Sequence, residues 1–213
     1  MRSITLQSRK IQIMKKIVLA SSNKGKLREI QAVILDQSIE LLYQTDLGVK
    51  DAKETGQTFV ENAIIKARNA CAITGLPSIA DDSGLEVDAL GGQPGIFSAR
   101  YSSVSGPEAD EANNQKLLSE LSDVPISERT ARFYCAIAYL RFTADPTPLI
   151  CLGSWEGSIL REPAGENGFG YDPLFYVSTH KCSSAELLPE VKNSISHRAL
   201  ALRRLQKLWP TRR

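Results

Sequence analysis

The segment from Ser78 to Gly84, with the sequence SIADDSG, constrains the fold more than any other part of the chain. A short apolar run is followed at once by two adjacent carboxylates, Asp81 and Asp82, and then by Ser83 and a glycine. Side chains alternate across a β-strand, so the two carboxylates point to opposite faces if the strand continues through them. Only one of them can then face a given cleft. The pattern predicts the end of a strand that carries chemistry, although a solvated acidic turn also fits these residue types.

Composition and charge exclude several broad classes of protein. The chain has 213 residues, of which 42% are hydrophobic and 23% charged, as expected for a globular protein with one substantial core. Its net charge of +2 gives no general attraction to nucleic acids or membranes. Apolar runs fall short of the ~20 residues that a membrane-spanning helix needs, and the N-terminus lacks the apolar centre of a secretory signal. We therefore expect a cytoplasmic protein with neither nucleic acid nor membrane as a partner.

The sequence predicts a simple domain organisation. Residues 15–213 show no internal repeat and no Gly/Ser-rich linker, which indicates a single domain. Residues 1–14 are polar and basic with little periodicity, so we predict a disordered N-terminal extension there. The four cysteines lie far apart without a Cys-x-x-Cys pair, which argues against a zinc site or a disulfide framework and favours reduced thiols.

A strand, a small polar loop and a helix follow one another near the start of this domain. The strand is predicted over residues 16–20 (KIVLA) and the loop over residues 21–26 (SSNKGK). The helix that follows has four apolar residues on one side: Leu27, Ile30, Ile34 and Leu35. The start of a helix offers free N–H groups and a positive dipole end, which suit phosphate. The loop lacks the first glycine of a Walker A motif, so an ordinary strand-to-helix turn remains an alternative.

A second helix is predicted after residues 54–57 (ETGQ). Thr58 and Glu61 have the spacing of a capping box, and Gly75 provides a stop. The face predicted to be buried comprises Phe59, Ala63, Ala67 and Ala70.

Two charged residues, one within this helix and one just before it, have more than one interpretation. Lys66 lies one step from the buried face, where a lysine is usually solvated. Glu54, just before the helix, is either a simple loop acid or a metal ligand facing Asp82. When carboxylates gather beside hydroxyls and glycines, a divalent cation is the usual partner that compensates their charge.

The sequence of residues 107–155 predicts a helix and a hairpin. Pro107 precedes a helix over residues 108–121, consistent with the preference for proline at a helix start. Residues 132–140 and 149–155 are apolar enough for two strands, and the Asp-Pro-Thr-Pro sequence at residues 145–148 predicts the turn between them. We expect these two strands to form a hairpin in the central sheet.

Two segments near the C-terminus carry further functional signals. In residues 162–173, glycines surround Phe169, whose ring would offer a stacking face to a nucleobase, although a plain Gly-Pro-rich loop is the alternative. Residues 192–198 are predicted to open the last helix, which Pro210 ends. Its core face comprises Leu202, Leu205 and Leu208. Cationic and donor side chains at a helix start oppose the dipole, which favours anions there, so this misfit points to a ligand.

Four separated segments, taken together, form one pattern along the chain. They are residues 21–26, 79–84 (IADDSG), 168–173 (GFGYDP) and 196–198 (SHR). Their order and spacing resemble those of the inosine/xanthosine triphosphate pyrophosphatase family, in particular its bacterial branch, over about residues 15–208. The resemblance implies an α/β fold with a long mixed central sheet flanked by helices, and two lobes around a nucleotide-binding cleft. It also implies dependence on Mg²⁺ and a homodimer.

The resemblance also implies roles for individual residues. The loop that holds the triphosphate falls on Ser21, Ser22, Asn23, Lys24, Gly25 and Lys26. By this resemblance, Glu54 and Asp82 correspond to the metal-binding acids of the family. Asp82 also corresponds to the base that activates water, and Lys66 corresponds to a lysine that contacts phosphate. The base and sugar side falls on Ser83, Phe169, Gly170, Tyr171, Asp172, Lys192, His197 and Arg198. One departure is Ser22, where the family commonly has the glycine of a Thr-Gly-Asn loop.

The implied reaction is hydrolysis of ITP, dITP and XTP to the monophosphate and pyrophosphate, with water attacking the α-phosphorus. Such an enzyme removes these nucleotides from the pool before their incorporation into DNA or RNA. Positioning and charge neutralisation carry most of the barrier reduction in phosphoryl transfer. Inosine and xanthosine have an acceptor at C6 where adenine has a donor, so the donors Lys192, His197 and Arg198 favour the keto bases.

Three other interpretations fit parts of the sequence. A non-catalytic sensor of purine triphosphates would not need the acid pair Glu54 and Asp82. An RNA-binding protein would use the basic C-terminal helix, but the leucines of that helix and the small net charge weigh against it. A pyrophosphatase for pyrimidine or modified nucleotides differs only in its substrates, and a substrate panel distinguishes it.

Overall fold

The computed structural model describes residues 15–34 and 39–209. The predicted extension over residues 1–14 lies outside the described residues, as do Leu35 of the first predicted helix and Pro210, the predicted stop of the last one. Within the two described ranges, no helix is both long and apolar enough to cross a membrane.

A mixed sheet forms the centre of the molecule, and seven strands belong to it in the described part of the chain. They are β1 (Lys15–Leu19), β2 (Ile39–Tyr43), β3 (Ser78–Val87), β4 (Thr130–Leu140), β5 (Leu149–Ile159), β6 (Phe175–Val177) and β7 (Cys182–Ser183). Their order across the sheet is β2-β1-β3-β4-β5-β6-β7. β1 pairs in parallel with β2 and β3, and the remaining neighbours pair antiparallel. The predicted α/β class with a mixed central sheet is confirmed, and so is the hairpin of β4 and β5.

Helices cover both faces of this sheet. The α-helices among the described residues are α1 (Lys24–Val33), α2 (Phe59–Thr74), α3 (Ala109–Glu120), α4 (Pro189–Ile195) and α5 (His197–Leu208). The predicted capping box of α2 is confirmed, because Thr58 and Glu61 each bind the other's backbone N–H. Gly75 ends α2 in the left-handed conformation, with φ of 69°. The predicted buried face of α2 is also confirmed.

The alternation of side chains along the strands divides the core between the two faces of the sheet. On one face, Ala80 packs in a cluster with α2. On the other face, Ile17 and Ile79 pack with α1 and α5. Asp81 continues the row of Ile79 and Asp82 continues the row of Ala80, so the two carboxylates point to opposite faces as predicted. A third cluster joins the far ends of the central strands to α3.

Two predicted element boundaries are wrong. β3 does not end at its carboxylates but runs on to Val87, because its antiparallel pairing with β4 continues that far. Residues 192–198 do not open one helix: Lys192 belongs to the end of α4, and α5 begins only at His197. Ser196 separates the two helices and caps α5, since its hydroxyl accepts a hydrogen bond from the N–H of Ala199.

The position of Lys192 therefore agrees with the helix dipole, which favours a cation in the last turn of α4.

The predicted core face of α5 needs a further correction. Leu202 and Leu205 are fully buried, but Leu208 is the last residue of the helix and is 44% exposed.

Close packing of α5 on β5 places the last helix against the sheet. A Cβ atom added to Gly153 of β5 would lie 2.0 Å from the carbonyl oxygen of His197, well inside any allowed contact. Glycine is therefore the residue that lets the first turn of α5 approach the strand. This approach brings the start of α5 next to the middle of the sheet.

Candidate active site

A cavity of about 530 Å³, a size typical of small-ligand sites, brings together most of the predicted site residues. Those that line it are Ser21, Ser22, Asn23, Lys26, Glu54, Lys66, Asp82, Ser83, Phe169, Gly170, Tyr171, Asp172, Lys192, His197 and Arg198. Lys24 and Gly25 are not among the lining residues. Lys24 is exposed at the start of α1, whereas Gly25 lies directly beneath the ring of Phe169.

Residues 21–26, the predicted phosphate loop, are shaped by their own side chains. The side-chain oxygen of Asn23 accepts hydrogen bonds from the N–H groups of Gly25 at 2.9 Å and Lys26 at 3.0 Å, and thereby caps α1. The hydroxyl of Ser21 accepts a hydrogen bond from the N–H of Asn23 at 3.2 Å. The loop therefore holds the positive end of α1 at the wall of the cavity.

The phosphate loop is tied to a second loop, residues 50–56, which we call the acid loop because it carries Glu54. The hydroxyl of Ser22 donates to one oxygen of Asp51 at 2.6 Å. The buried side chain of Gln44 donates to the other oxygen at 2.5 Å. Asp51 lines the cavity as well. The serine that departs from the family's glycine thus makes a contact between the two loops that glycine could not make.

Glu54 and Asp82 converge on one ammonium group. The Nζ atom of Lys66 lies 2.8 Å from an oxygen of Glu54 and 2.7 Å from an oxygen of Asp82. The second oxygen of Asp82 accepts a bond from the amide of Asn62 at 3.3 Å, and the second oxygen of Glu54 one from Arg100 at 3.1 Å. The side chain of Lys66 is only 15% exposed, so this lysine is not a solvated one.

Burial and neighbouring charges shift the pKa values of Glu54, Lys66 and Asp82 in opposite directions. Burial raises the pKa of Asp82, and the nearby Lys66 offsets that effect only in part. Burial alone would lower the pKa of Lys66, but Asp82 and the other nearby carboxylates outweigh it and raise the pKa. Burial likewise opposes the effect of Lys66 on Glu54, whose pKa is lowered on balance. Asp82 therefore binds a proton more readily than an ordinary aspartate.

Asp81 has a different environment on the opposite face of β3. One of its oxygens lies 3.1 Å from Nζ of Lys26, accepts bonds from Arg198 at 3.2 and 3.3 Å, and accepts one from Ser83 at 3.1 Å. Burial would raise the pKa of Asp81, but Lys26 and Arg198 dominate and hold it far below its usual range. Asp81 therefore stays ionised around neutral pH and pairs with Lys26 and Arg198.

The side of the cavity that is predicted to bind base and sugar is built around buried ion pairs. Nζ of Lys192 lies 2.5 Å from an oxygen of Asp172 and 2.9 Å from an oxygen of Glu29. Glu29 also pairs with Arg198, so one α1 carboxylate joins α4 to α5. The ring of Phe169 lies within 5.0 Å of Nζ of Lys192, measured to the ring centroid. A planar ring with cations beside it suits a nucleobase.

Two predicted residues of this side are held by structural contacts. His197 is buried and stacks with the rings of Phe133 at 4.8 Å and Trp155 at 6.5 Å. Burial, with the nearby cations Arg198 and Lys192, lowers its pKa well below 6.5, so the imidazole is neutral. The hydroxyl of Tyr171 donates to the carbonyl of Ser98 at 2.8 Å.

Sequence reasoning did not assign several charged residues that reach this site, among them Glu29, Asp51, Arg100 and Asp110. Glu29 follows Lys26 by three residues on α1, so it lies one helical turn from the phosphate loop, and this spacing is a usable signal. Asp51, Arg100 and Asp110 lie outside the motifs. Their positions depend on how separate elements pack, which local spacing does not reveal.

Comparison with known proteins agrees with this fold. The model of the Ham1 family matches residues 17–208. The dITP/XTP pyrophosphatase of Shigella flexneri is 58% identical over 193 residues, which cover 90% of this chain and 96% of that protein. The dITP/XTP pyrophosphatase of Escherichia coli K12 is 56% identical with the same coverage. The structure of a HAM1 protein from Coxiella burnetii has a TM-score of 0.85 and 51% identity, and covers 93% of this chain and 100% of that one. This chain belongs to the Ham1 family.

Proposed function

We propose that this protein hydrolyses non-standard purine nucleoside triphosphates, namely ITP, dITP and XTP, to the monophosphate and pyrophosphate. The activity removes these nucleotides before DNA or RNA synthesis uses them. Relatives more than 50% identical over nine tenths of the chain are named dITP/XTP pyrophosphatases, and they support the same chemistry here. We further propose that the protein acts as a homodimer, which sedimentation equilibrium would test against the 23.4 kDa of a single chain.

One observation carries the proposal: a single cavity gathers three kinds of group that this reaction needs. The start of α1 and Lys26 provide positive charge for phosphates. Glu54, Lys66 and Asp82 provide acids and a cation at the place where water would be activated. Phe169 and the cations beside it provide a stacking face and donors for a base. A binding protein without catalysis would not need the acid pair Glu54 and Asp82 among these groups.

Asp82 is the group that we assign to proton removal from the attacking water. Lys66 and Asn62 each bind one of its oxygens, so the carboxylate is fixed in orientation. In the site without a bound cation, burial raises the pKa of Asp82, which brings its basicity closer to that needed near neutral pH. Lys66 also brings positive charge next to the phosphates, where negative charge is redistributed during the reaction.

The acid pair fits Mg²⁺. Glu54 and Asp82 hold one ammonium group between them, which indicates that their oxygens converge on a point where a cation is stabilised. Carboxylate oxygens are the donors that Mg²⁺ prefers, and it commonly takes one or two of them together with phosphate and water. Among the described residues, no group of three or more His, Cys, Asp or Glu side chains could hold a metal, so substrate would complete the coordination. When bound there, Mg²⁺ would neutralise phosphate charge and make water more acidic.

Selectivity for keto bases follows from the donors on the base side. The contacts of Lys192 with Asp172 and Glu29 use two of its three N–H bonds. The third can donate to a C6 oxygen, whereas the amino group of adenine would meet it donor to donor. A mismatch of this kind can discriminate by ~10⁴ or more. His197 is neutral and held among aromatic rings, so it shapes the pocket around these cations.

The experiment that tests the proposal is pyrophosphate release from ITP, XTP, dITP, GTP and ATP, each with and without Mg²⁺. We expect fast, Mg²⁺-dependent release from the first three and rates slower by at least ~100-fold for ATP. Equal rates for all five would contradict the proposed selectivity. Tight binding of ITP without release from any nucleotide would favour a non-catalytic sensor, and release without added metal would contradict the proposed role of Mg²⁺.

A further inference from the structure

The aromatic loop, residues 168–172, carries Phe169 between two glycines. Both glycines have positive φ, 82° for Gly168 and 62° for Gly170, a region that glycine enters freely. The ring of Phe169 lies so close to Gly25 of the phosphate loop that a Cβ atom there would be 2.7 Å from it. A segment with two such hinges has many accessible conformations, so something must hold the ring in this one.

Inside the cavity, Asp172 fixes the aromatic loop by hydrogen bonds. A carboxylate oxygen of Asp172 accepts a hydrogen bond from the N–H of Phe169 at 2.8 Å. The same oxygen binds Lys192 at 2.5 Å, and the other oxygen accepts a bond from Ser184 at 2.9 Å. These bonds fix the start of the loop, but the peptide groups of Gly170 lie beyond them.

On the side of the aromatic loop that faces α3, two side chains hold Gly170 by both of its polar backbone groups: Asp110, which lines the cavity, and Asn114, which does not. An oxygen of Asp110 accepts a hydrogen bond from the N–H of Gly170 at 2.8 Å. The amide nitrogen of Asn114 donates to the carbonyl of Gly170 at 3.0 Å. The two residues are four positions apart, so they project from one face of α3. Together they clamp the residue that follows Phe169.

Asn114 makes its hydrogen bond to Gly170 in an environment that is unfavourable for its own side-chain oxygen. The residue is 8% exposed, and its side-chain oxygen has no hydrogen-bond partner among the described residues. A buried acceptor without a partner is unfavourable, and an apolar side chain would avoid it. Asn114 does not line the cavity, so any effect it has on a ligand must pass through Gly170.

We infer that Asp110 and Asn114 are positioning residues, which set the aromatic loop so that Phe169 meets the base of the substrate. The inference rests on the proposed function, because it takes Phe169 as the stacking face. The clamp orders the loop before the substrate arrives, so binding does not have to supply the ordering free energy. Removing it weakens recognition of the base and leaves recognition of the phosphates unchanged.

The test compares binding of two probes by calorimetry in the presence of Mg²⁺: IMP, which carries a base, and inorganic pyrophosphate, which does not. The variants are Asp110→Ala, Asp110→Asn, which keeps an oxygen that can accept the bond from Gly170, and Asn114→Leu, which removes the donor. Glu111→Ala is the matched control, because Glu111 is the next acid in the first turn of α3 and its described bond is to Gln115 of the same helix. Thermal unfolding checks that each variant is folded.

We expect Asp110→Ala and Asn114→Leu to weaken IMP binding on the order of tenfold, as the loss of an ordering hydrogen bond would, while pyrophosphate binding stays unchanged. Asp110→Asn and Glu111→Ala should bind both probes as the wild type does. Equal weakening of both probes, no effect on IMP, or the same loss in Glu111→Ala would overturn the inference. The binding assay does not depend on turnover, so a wild-type protein that binds IMP but releases no pyrophosphate from ITP would refute the proposed function and not the clamp.

Discussion

Asp81 and Asp82 are neighbours in the chain, yet their chemistry differs because β3 turns them to opposite faces. Asp82 faces α2, where Lys66 and Asn62 hold it and burial raises its pKa. Asp81 faces α1 and α5, where two cations keep it ionised. The two residues are thus separable by role, with Asp82 suited to taking up a proton and Asp81 to fixing cations.

Asp82→Asn is the substitution that tests this division. An amide cannot take a proton from water, so we expect kcat for ITP to fall by about 10²–10⁴-fold while ITP binding persists. Steady-state kinetics and calorimetric binding measure the two effects separately. Asp88→Asn is a suitable control, because Asp88 follows β3 but binds Thr130 and Arg132 on an exposed surface. Turnover within a few-fold of the wild type would remove Asp82 from the role of base.

At the level of elements, the site depends on how closely α5 packs on β5. Arg198 pairs with both Asp81 and Glu29 from the first turn of α5, which lies against Gly153. The split between α4 and α5 matters in the same way. It places Lys192 at the end of one helix and Arg198 at the start of the next, so that both cations approach Glu29.

Gly153→Ala tests this packing. The added methyl group would lie 2.0 Å from the carbonyl oxygen of His197, so α5 or β5 must move. Overpacking of this kind costs about 1–3 kcal/mol in the free energy of unfolding, which urea denaturation measures. We also expect weaker ITP hydrolysis, because Arg198 moves with the helix. Ser154→Ala, at the exposed next position of the strand, is the control, and equal stability of the two variants would show that the helix accommodates the methyl group.

For the whole molecule, buried charges connect elements that are distant in the chain. Glu29 of α1 pairs with Lys192 of α4 and with Arg198 of α5, and Arg198 also pairs with Asp81 of β3. Burial opposes the ionisation of Glu29, but Arg198 and Lys192 outweigh it and lower the pKa below its ordinary 4.5. The stabilisation from this carboxylate is therefore complete above about pH 4.5 and is lost as the pH falls through the lowered folded-state pKa.

Glu29→Gln should accordingly lower stability in a pH-dependent way. Since Lys192 and Arg198 retain their other acids, we expect a loss of about 1–3 kcal/mol at pH 7. The gap between wild type and variant should remain at pH 5 and narrow below about pH 4.5, where the wild-type carboxylate begins to lose its advantage. Urea unfolding at several pH values measures this gap. A gap independent of pH down to the acid transition would show that the charge of Glu29 is not the cause.

Local features of this protein could be predicted from its sequence because they depend on neighbours a few residues away. The capping box of Thr58 and Glu61 and the left-handed Gly75 follow from hydrogen bonds within one turn. The opposite orientation of Asp81 and Asp82 follows from the alternation of a strand. The four motifs, taken together, also indicated the family.

Tertiary structure alone decided which charges meet. Arg198 and Glu29 are 169 residues apart in the chain, and no local pattern indicates their contact. The length of β3 depended on its pairing with β4. The close contact of α5 with Gly153 depended on how that helix packs on β5. The clamp on Gly170 required α3 to lie beside the aromatic loop. Capping and alternation are short-range and act in any context, whereas the energy of an ion pair or a ladder hydrogen bond exists only once distant elements have packed together.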